Sequence, residues 1–477
     1  MKMSEKFDCI VVGAGISGIT CAGYLAKAGK KTLVVEKLSE VGGVTAARDV
    51  MGCKVSMNIP LVSKDRYGDA NGWAKAAQDF GADVRVVNCS VPRIYLAGSG
   101  KPPMPLPICL SPEGAAKWMT EILAASRPDL MENNIERELV PIMKEIYETP
   151  VEKMTVDWDE MPVKKWITRR TDIKGIHFVF NMMMSVSIYT SDADYTWNYG
   201  NVGKALEQFR IWISGDGKMA VPLPNTQFGI CVPLADAIRK NFNCEIRLNQ
   251  EVKKVIIEDG RAKGIEIIGK NGEIQKIFAD EVVVSTRWVS YSSIFDPMPV
   301  FLEEIVRQAS SPEHYMGGAF ITFIMNDSIK LDGAYFLIFD AKTGTNILGG
   351  CAQSTEQPWS APEGKQFIWI FKILTGKEYE KLGLESIGVE MKTHMETMFP
   401  GFSDALVWES PAQGRHAPTH FYYNSQPKVR HSYPAIKHLY FAGDCTYPMY
   451  GLLTDGASST GFITAMEILG VDQPADI

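Results

Sequence analysis

No two of the nine cysteines stand as C-x-x-C. Cys9, Cys21, Cys53, Cys89, Cys109, Cys231, Cys244, Cys351 and Cys445 are odd in number and widely scattered, which excludes a disulfide framework, a zinc or iron–sulfur site and a redox dithiol. A reducing, cytoplasmic setting is expected. The chain also lacks a surplus of positive charge: 49 Lys and Arg stand against 56 Asp and Glu, and no basic tract exceeds Lys30-Lys31 or Arg169-Arg170. Nucleic acid is therefore not expected as a partner. No apolar run approaches the roughly 18 residues of a membrane-spanning helix, so at most peripheral contact with a membrane surface is expected. The first strand should begin near Phe7, which leaves no apolar stretch of a signal peptide ahead of it. Histidine is scarce, at seven. What remains is a globular composition, 45% apolar and 22% charged, over 477 residues, enough for two or three domains with cores of their own.

Phe7 to Val12 is a continuous apolar run that suits a strand buried on both faces of a parallel sheet. Gly13-Ala14-Gly15-Ile16-Ser17-Gly18 follows at once. Residues 16–28 then read as a helix that stops at Gly29, and Lys31 to Glu36 reads as a second buried strand. In this βαβ unit Gly13 permits the tight turn, Gly15 admits a pyrophosphate to the backbone, and Gly18 lets the helix pack closely. The pyrophosphate would sit on the helix N-terminus at Ile16 and Ser17, where free amides and the helix dipole favour an anion. Glu36, followed by Lys37, ends the second strand where it can accept hydrogen bonds from a ribose. These features suit NAD as well as FAD.

Two further segments bear on that choice. Val41-Gly42-Gly43-Val44-Thr45 comes directly after the second strand. Near the other end, His438 to Ala442 reads as a buried strand closing on Gly443-Asp444, and Gly451-Leu452-Leu453-Thr454-Asp455-Gly456 opens a C-terminal helix running to about Leu469. In the order of these motifs the whole chain resembles the FAD-dependent phytoene desaturase and amine oxidase-like flavoproteins. It is nearer to the phytoene desaturase or carotenoid isomerase type than to monoamine oxidase. The resemblance implies an α/β (α+β overall) fold with a Rossmann-type FAD-binding domain built from 1–90, 220–290 and 430–477. A discontinuous substrate domain, 91–219 and 291–429, is implied over it. It implies that FAD, noncovalently held, meets Gly42, Gly43 and Val44 on the phosphate side and Val252 at the adenine. Ser285 lies where the chain crosses beside the cofactor, Gly443 and Asp444 at the ribityl and pyrophosphate, and Leu453 and Thr454 at the flavin. No second G-x-G-x-x-G occurs, so no separate NAD domain is expected, and no metal site is expected.

The catalytic side is less marked. Where monoamine oxidases place an aromatic cage residue the chain has Leu453, and the matching position for the family's water-bridging lysine falls on Thr322. Both departures lower the amine oxidase reading. Phe178 to Met184 with Tyr189, Tyr195, Trp197 and Tyr199 offers an adaptable apolar wall, or simply core. His416 and His420 lie on the connection that the family runs past its substrate cavity, while Tyr447 and Tyr450 follow Asp444. Any of these four is a candidate acid or base beside the flavin, and the two histidines equally suit plain loop hydrogen bonds. The expected function is hydride transfer between flavin N5 and a carbon of a small apolar, alicyclic or isoprenoid-like substrate, by desaturation, double-bond reduction or isomerisation, with an electron acceptor that the sequence does not identify. The alternatives are an amine oxidase with an atypical cage and a protein in which FAD is structural.

Overall fold

The computed structural model describes the chain apart from residues 1–4, 56–61, 64–71, 107–110, 160, 189, 214–218, 270–271, 314, 330, 332–334, 417–428, 450–452 and 472–477. Its first sheet has seven strands. They are β1 (Lys6–Val12), β2 (Thr32–Val35), β3 (Cys244–Arg247), β4 (Val252–Glu258), β5 (Arg261–Ile268), β6 (Ile274–Val284) and β7 (Leu439–Phe441). The parallel run is β3-β2-β1-β6-β7. The first half of β6 also pairs antiparallel with β5, and β5 with β4, which extends the sheet. From Cys9 onward β1 is apolar, as a strand inside a parallel sheet requires, and every residue of β2 is buried.

Helix α1 (Ile16–Lys27) crosses from β1 to β2 and packs against the C-terminal helix, Leu453–Leu469. Small residues make that crossing close: a Cβ on Gly461 would stand 2.1 Å from the Ser17 carbonyl oxygen. Hydroxyl pairs then fix the register across it, Ser17 with Thr460 at 3.1 Å and Thr20 with Ser458 at 3.0 Å.

A second sheet of eight strands is drawn from 93–105 and 316–416. Its long central hairpin pairs Met316–Asn326 with Lys365–Thr375 in unbroken antiparallel register. Helices from 112–213 cover one face, among them α2 (Lys174–Ser187) and α3 (Val202–Ile213); we number the C-terminal helix α4. The aromatic and methionine run of α2 is core here. Val179, Phe180 and Met182 to Met184 are buried in one cluster with residues of the neighbouring helices and the sheet, and Phe180 stacks on Trp166 at 5.3 Å. Tyr195 is buried against the exposed Tyr199, and Tyr189 lies outside the described residues. Among the described residues no helix is long and apolar enough to cross a membrane.

Candidate functional site: a cleft at the ends of the parallel strands

The C-terminal ends of β1, β2 and β6 meet at one crevice, the place where open parallel sheets bind ligands. The Gly13 amide donates to Val35 O at 2.8 Å and the Ser285 amide to Val12 O at 2.9 Å, so the three ends are tied side by side. Gly13 turns the chain out of β1 with φ +104°, a conformation open to glycine but strained for other residues. Gly18 serves packing, since a Cβ there would lie 2.0 Å from the Gly13 carbonyl oxygen. Gly15 differs: nothing lies within 4 Å of the Cβ it lacks, so its missing side chain faces open space in the crevice.

Around this point lies a cleft of about 370 Å³. Gly13, Gly15, Ile16, Ser17, Glu36 and Lys37 line it from the first motif. Gly42, Gly43 and Val44 line it from the second, with Val252, Ser285, Gly443 and Asp444 from the rest of the chain. The second glycine turn is braced on the first: the Gly42 amide donates to Ala14 O at 2.8 Å, and a Cβ on Gly43 would meet Gly15 Cα at 3.3 Å. Glu36, nearly buried, accepts from the Ala14 amide at 2.8 Å and from the Leu38 amide at 2.9 Å, one on each carboxylate oxygen. It thereby joins the first turn to the end of β2, and each oxygen retains a lone pair for a further donor.

The cleft suits a molecule with an anionic centre and a polyol. Helix α1 begins at Ile16 with no side-chain cap and no acid in its first turn, so its first amides present a positive end to the cleft. Ser285 Oγ, Thr286 Oγ1 and Gln250 Oε1 are buried without a hydrogen-bond partner among the described residues, and all three residues line the cleft. Buried polar atoms of this kind call for a ligand. Asp444 is paired with Arg287 at 3.1 Å, a residue that also lines the cleft. Opposite Asp444, the Gly443 amide donates to Thr460 Oγ1 on α4 at 2.9 Å.

Of the remaining site residues, Gly18 and Thr454 are not among those lining the cleft; Thr454 is buried at the start of α4. The side chain of Leu453 lies outside the described residues, as do Tyr450 and His420. His416 ends the strand Gln413–His416, opposite Gly317, but its side chain too lies outside what is described. Tyr447, half-buried, pairs with Arg430 in a short parallel ladder and does not line the cleft. Cys445 is buried beside it, and burial, then the charge of Asp444, push its thiol up to about 11. Thr322 is fully buried in the second sheet with its hydroxyl unpartnered among the described residues. Among these residues no cluster could hold a metal ion.

A family model for NAD(P)-binding Rossmann-like domains matches residues 11–71. The chain is 22% identical over 326 residues to one of the limonene dehydrogenase polypeptides of Castellaniella defragrans, covering 60% of this chain and 53% of that one. It is 22% identical to the chloroplastic prolycopene isomerase of Daucus carota, covering 99% and 82%. A 68-residue stretch is 35% identical to the all-trans-retinol 13,14-reductase of Rattus norvegicus, or 14% and 11% of the two chains. The chain thus spans about half the length of the limonene dehydrogenase polypeptide and little of the retinol enzyme. Among solved structures it is similar to an oxidoreductase from Methanosarcina mazei, with TM-score 0.69 and 17% identity over 97% of this chain and all of that one. A putrescine oxidase redesigned in its cofactor binding gives 0.61 and 15% over 98% and 99%. RAB GDI of Plasmodium falciparum gives 0.55 and 14% over 99% and 100%. One fold thus carries oxidases and a protein named for another role, so chemistry has to be argued from the site.

Proposed function

The chain has the fold of the FAD-dependent phytoene desaturase and amine oxidase-like flavoproteins, and on that premise we propose that it is an FAD-dependent oxidoreductase acting on an apolar, isoprenoid-like or alicyclic substrate. The observation that carries this is the cleft, where two glycine turns, an uncapped helix end and Glu36 from residues 13–44 converge with Val252, Ser285 and Gly443-Asp444 from distant parts of the chain. Its residues divide the labour. The amides at the start of α1 and the open face of Gly15 take the pyrophosphate, while Glu36 holds the adenosine ribose through its free lone pairs. Val252 and Gln250 border the adenine end, and Asp444 meets the ribityl chain. Bound FAD supplies a hydride donor or acceptor at flavin N5. The cofactor is held without a covalent link at Cys445, whose thiol stays protonated and buried and is no nucleophile at neutral pH. An acid or base, if the reaction uses one, comes from Tyr447, Tyr450, His416 or His420.

The substrate class rests on the relatives. One is named for dehydrogenating limonene, one for isomerising prolycopene and one for reducing retinol; all three compounds are apolar polyenes or terpenes, and all three changes can start from one hydride step at carbon. The FAD-binding domain is taken as 1–90, 220–290 and 430–477, and the substrate domain as 91–219 and 291–429. To test the proposal, the protein is denatured with acid and the released chromophore identified, then the oxidised and the photoreduced holoprotein are each mixed anaerobically with terpene and polyene substrates. Reduction of the oxidised flavin, or reoxidation of the reduced flavin, by such a compound is expected. A flavin that none of them oxidises or reduces, together with hydrogen peroxide release from a panel of amines, would move the assignment to an amine oxidase.

A further inference from the structure

We infer that Lys204 is a positioning residue for the cofactor loop: it reaches out of the helical lobe and holds, at Met449, the backbone that follows Gly443-Asp444. Lys204 and Glu207, one turn apart on α3, are 1% and 0% exposed. The Lys204 ammonium donates to Glu207 Oε2 at 3.0 Å and to the Met449 carbonyl at 2.5 Å, a partner 245 residues away in sequence. The Met449 side chain is buried in the core of the helical lobe, so this residue is anchored there at both its side chain and its carbonyl. The preceding carbonyl is held from the other lobe. His431 Nε2 donates to Pro448 O at 2.9 Å, and its Nδ1 lies 2.7 Å from Thr464 Oγ1 on α4. At the far end of the same loop the Gly443 amide is fixed to Thr460 on α4. Two successive carbonyls are thus gripped from opposite lobes, a short way along the chain from Asp444, which lines the cleft.

A buried ion pair is a poor way to gain stability, because well-packed apolar residues of similar volume do as well or better. What the pair at Lys204 and Glu207 does that an apolar pair cannot is donate to a backbone carbonyl of the other lobe. Glu207 pairs with the buried ammonium on one side, and the same ammonium makes a charge-assisted hydrogen bond to Met449 O on the other. The helical lobe thereby sets where the cofactor loop stands.

The test removes both charges together, as Lys204→Met with Glu207→Leu, so that no lone charge is left buried. For its flavin arm alone the inference rests on the cofactor reading. In that arm the double variant is expected to keep the wild-type melting temperature within a few degrees. It should bind FAD about tenfold more weakly, the equivalent of one lost hydrogen bond to a charged group, and its flavin should show an altered visible circular dichroism and midpoint potential. Wild-type affinity, spectrum and potential in the double variant would overturn the inference. The second arm needs no cofactor. Hydrogen exchange of the loop amides 443–447 and 449 in the apoprotein should quicken in the double variant, and unchanged protection there overturns the inference as well. Failure of the wild type to take up FAD at all would sink the cofactor reading, and the exchange arm would still decide the tether.

Discussion

The glycine cradle of the first lobe and the helical wall of the second bury polar groups in opposite ways. At the first turn of the cradle the binding groups are backbone: α1 starts without a cap, Gly15 leaves its face open, and a buried acid, Glu36, joins two stretches of main chain. In the helical lobe side chains do the joining. Lys204 and Glu207 form a dry ion pair, and Arg170 both pairs with Glu145 and lies 3.6 Å over the Trp166 ring. The cradle's pattern of glycines and amides is local to short segments and so leaves a spacing in the chain, whereas the ion pair of the helical lobe answers to a contact with Met449, 245 residues from Lys204, which imposes no spacing.

The sharpest way to break this comparison is within the cradle, where adjacent glycines serve different ends. Gly18→Ala places a Cβ 2.0 Å from the Gly13 carbonyl oxygen, a backbone atom that cannot step aside. It should lower stability by about 2–4 kcal/mol in urea unfolding, with FAD affinity following the loss of fold. At Gly15 an added Cβ meets nothing within 4 Å, and the backbone, φ −71° and ψ 173°, is ordinary extended chain, so Gly15→Val points into open cleft. Stability should change by less than about 1 kcal/mol while FAD affinity, read by flavin fluorescence titration, falls roughly 100-fold because the side chain fills the pyrophosphate's approach. Equal effects of the two variants on stability would mean that Gly15 is structural too.

The same contrast explains what could be read from the residues alone. Strand β1, the turn, α1 and β2 are legible because each rests on local chemistry: an apolar run, a glycine with positive φ, an uncapped helix start. Both glycine turns, the Val252 strand, Ser285 and Gly443-Asp444 are legible as segments by resemblance, and the fold brings all of them to one cleft. The run Phe178 to Met184 reads equally as an apolar wall or as core, and Val179, Phe180 and Met182 to Met184 are core; no local pattern decides between the two. Lys204 sits in Asn-Val-Gly-Lys-Ala-Leu-Glu-Gln, which reads as an ordinary helix with an i,i+3 surface pair. Only tertiary packing turns that pair inward onto Met449. His431 escaped for the same reason, since its partners Pro448 and Thr464 are distant in sequence.

Smaller effects sharpen the comparison. Glu36→Ala strips the acceptor from the Ala14 and Leu38 amides and should cost about 1–3 kcal/mol in unfolding free energy, with FAD affinity reduced more than ten-fold, since the ribose loses its acceptor. His431 gives a pH signature. Burial holds its imidazole below the ordinary value of 6.5, against weaker opposing effects of the Pro448 carbonyl and the Glu467 charge. The unfolded chain therefore binds the proton more readily, so its contribution to stability is present above pH ~6.5 and is lost as the pH falls, by up to about 1.4 kcal/mol per unit until the folded value is reached. His431→Gln should flatten that part of the profile of melting temperature against pH. An unchanged slope would show that His431 does not titrate in this range.

Arg287 tests the border between the two modes, because it is a side-chain cation in a cleft whose glycine turns and helix end offer backbone. Its pair with Asp444 is partly exposed, 31% and 20%, so breaking it should change stability by no more than about 1 kcal/mol. Binding is another matter. Asp444 lines a cleft proposed to take a doubly charged pyrophosphate, and without the guanidinium its carboxylate stands uncompensated before that anion. Arg287→Ala should weaken FAD binding about tenfold at low ionic strength, and the deficit should shrink as salt screens the repulsion. Arg287→Ala combined with Asp444→Asn removes the repelling charge together with the compensating one. If the loss is electrostatic, part of the affinity returns in the double variant; if it persists in full and ignores salt, Arg287 acts by filling space beside the cofactor and not by its charge.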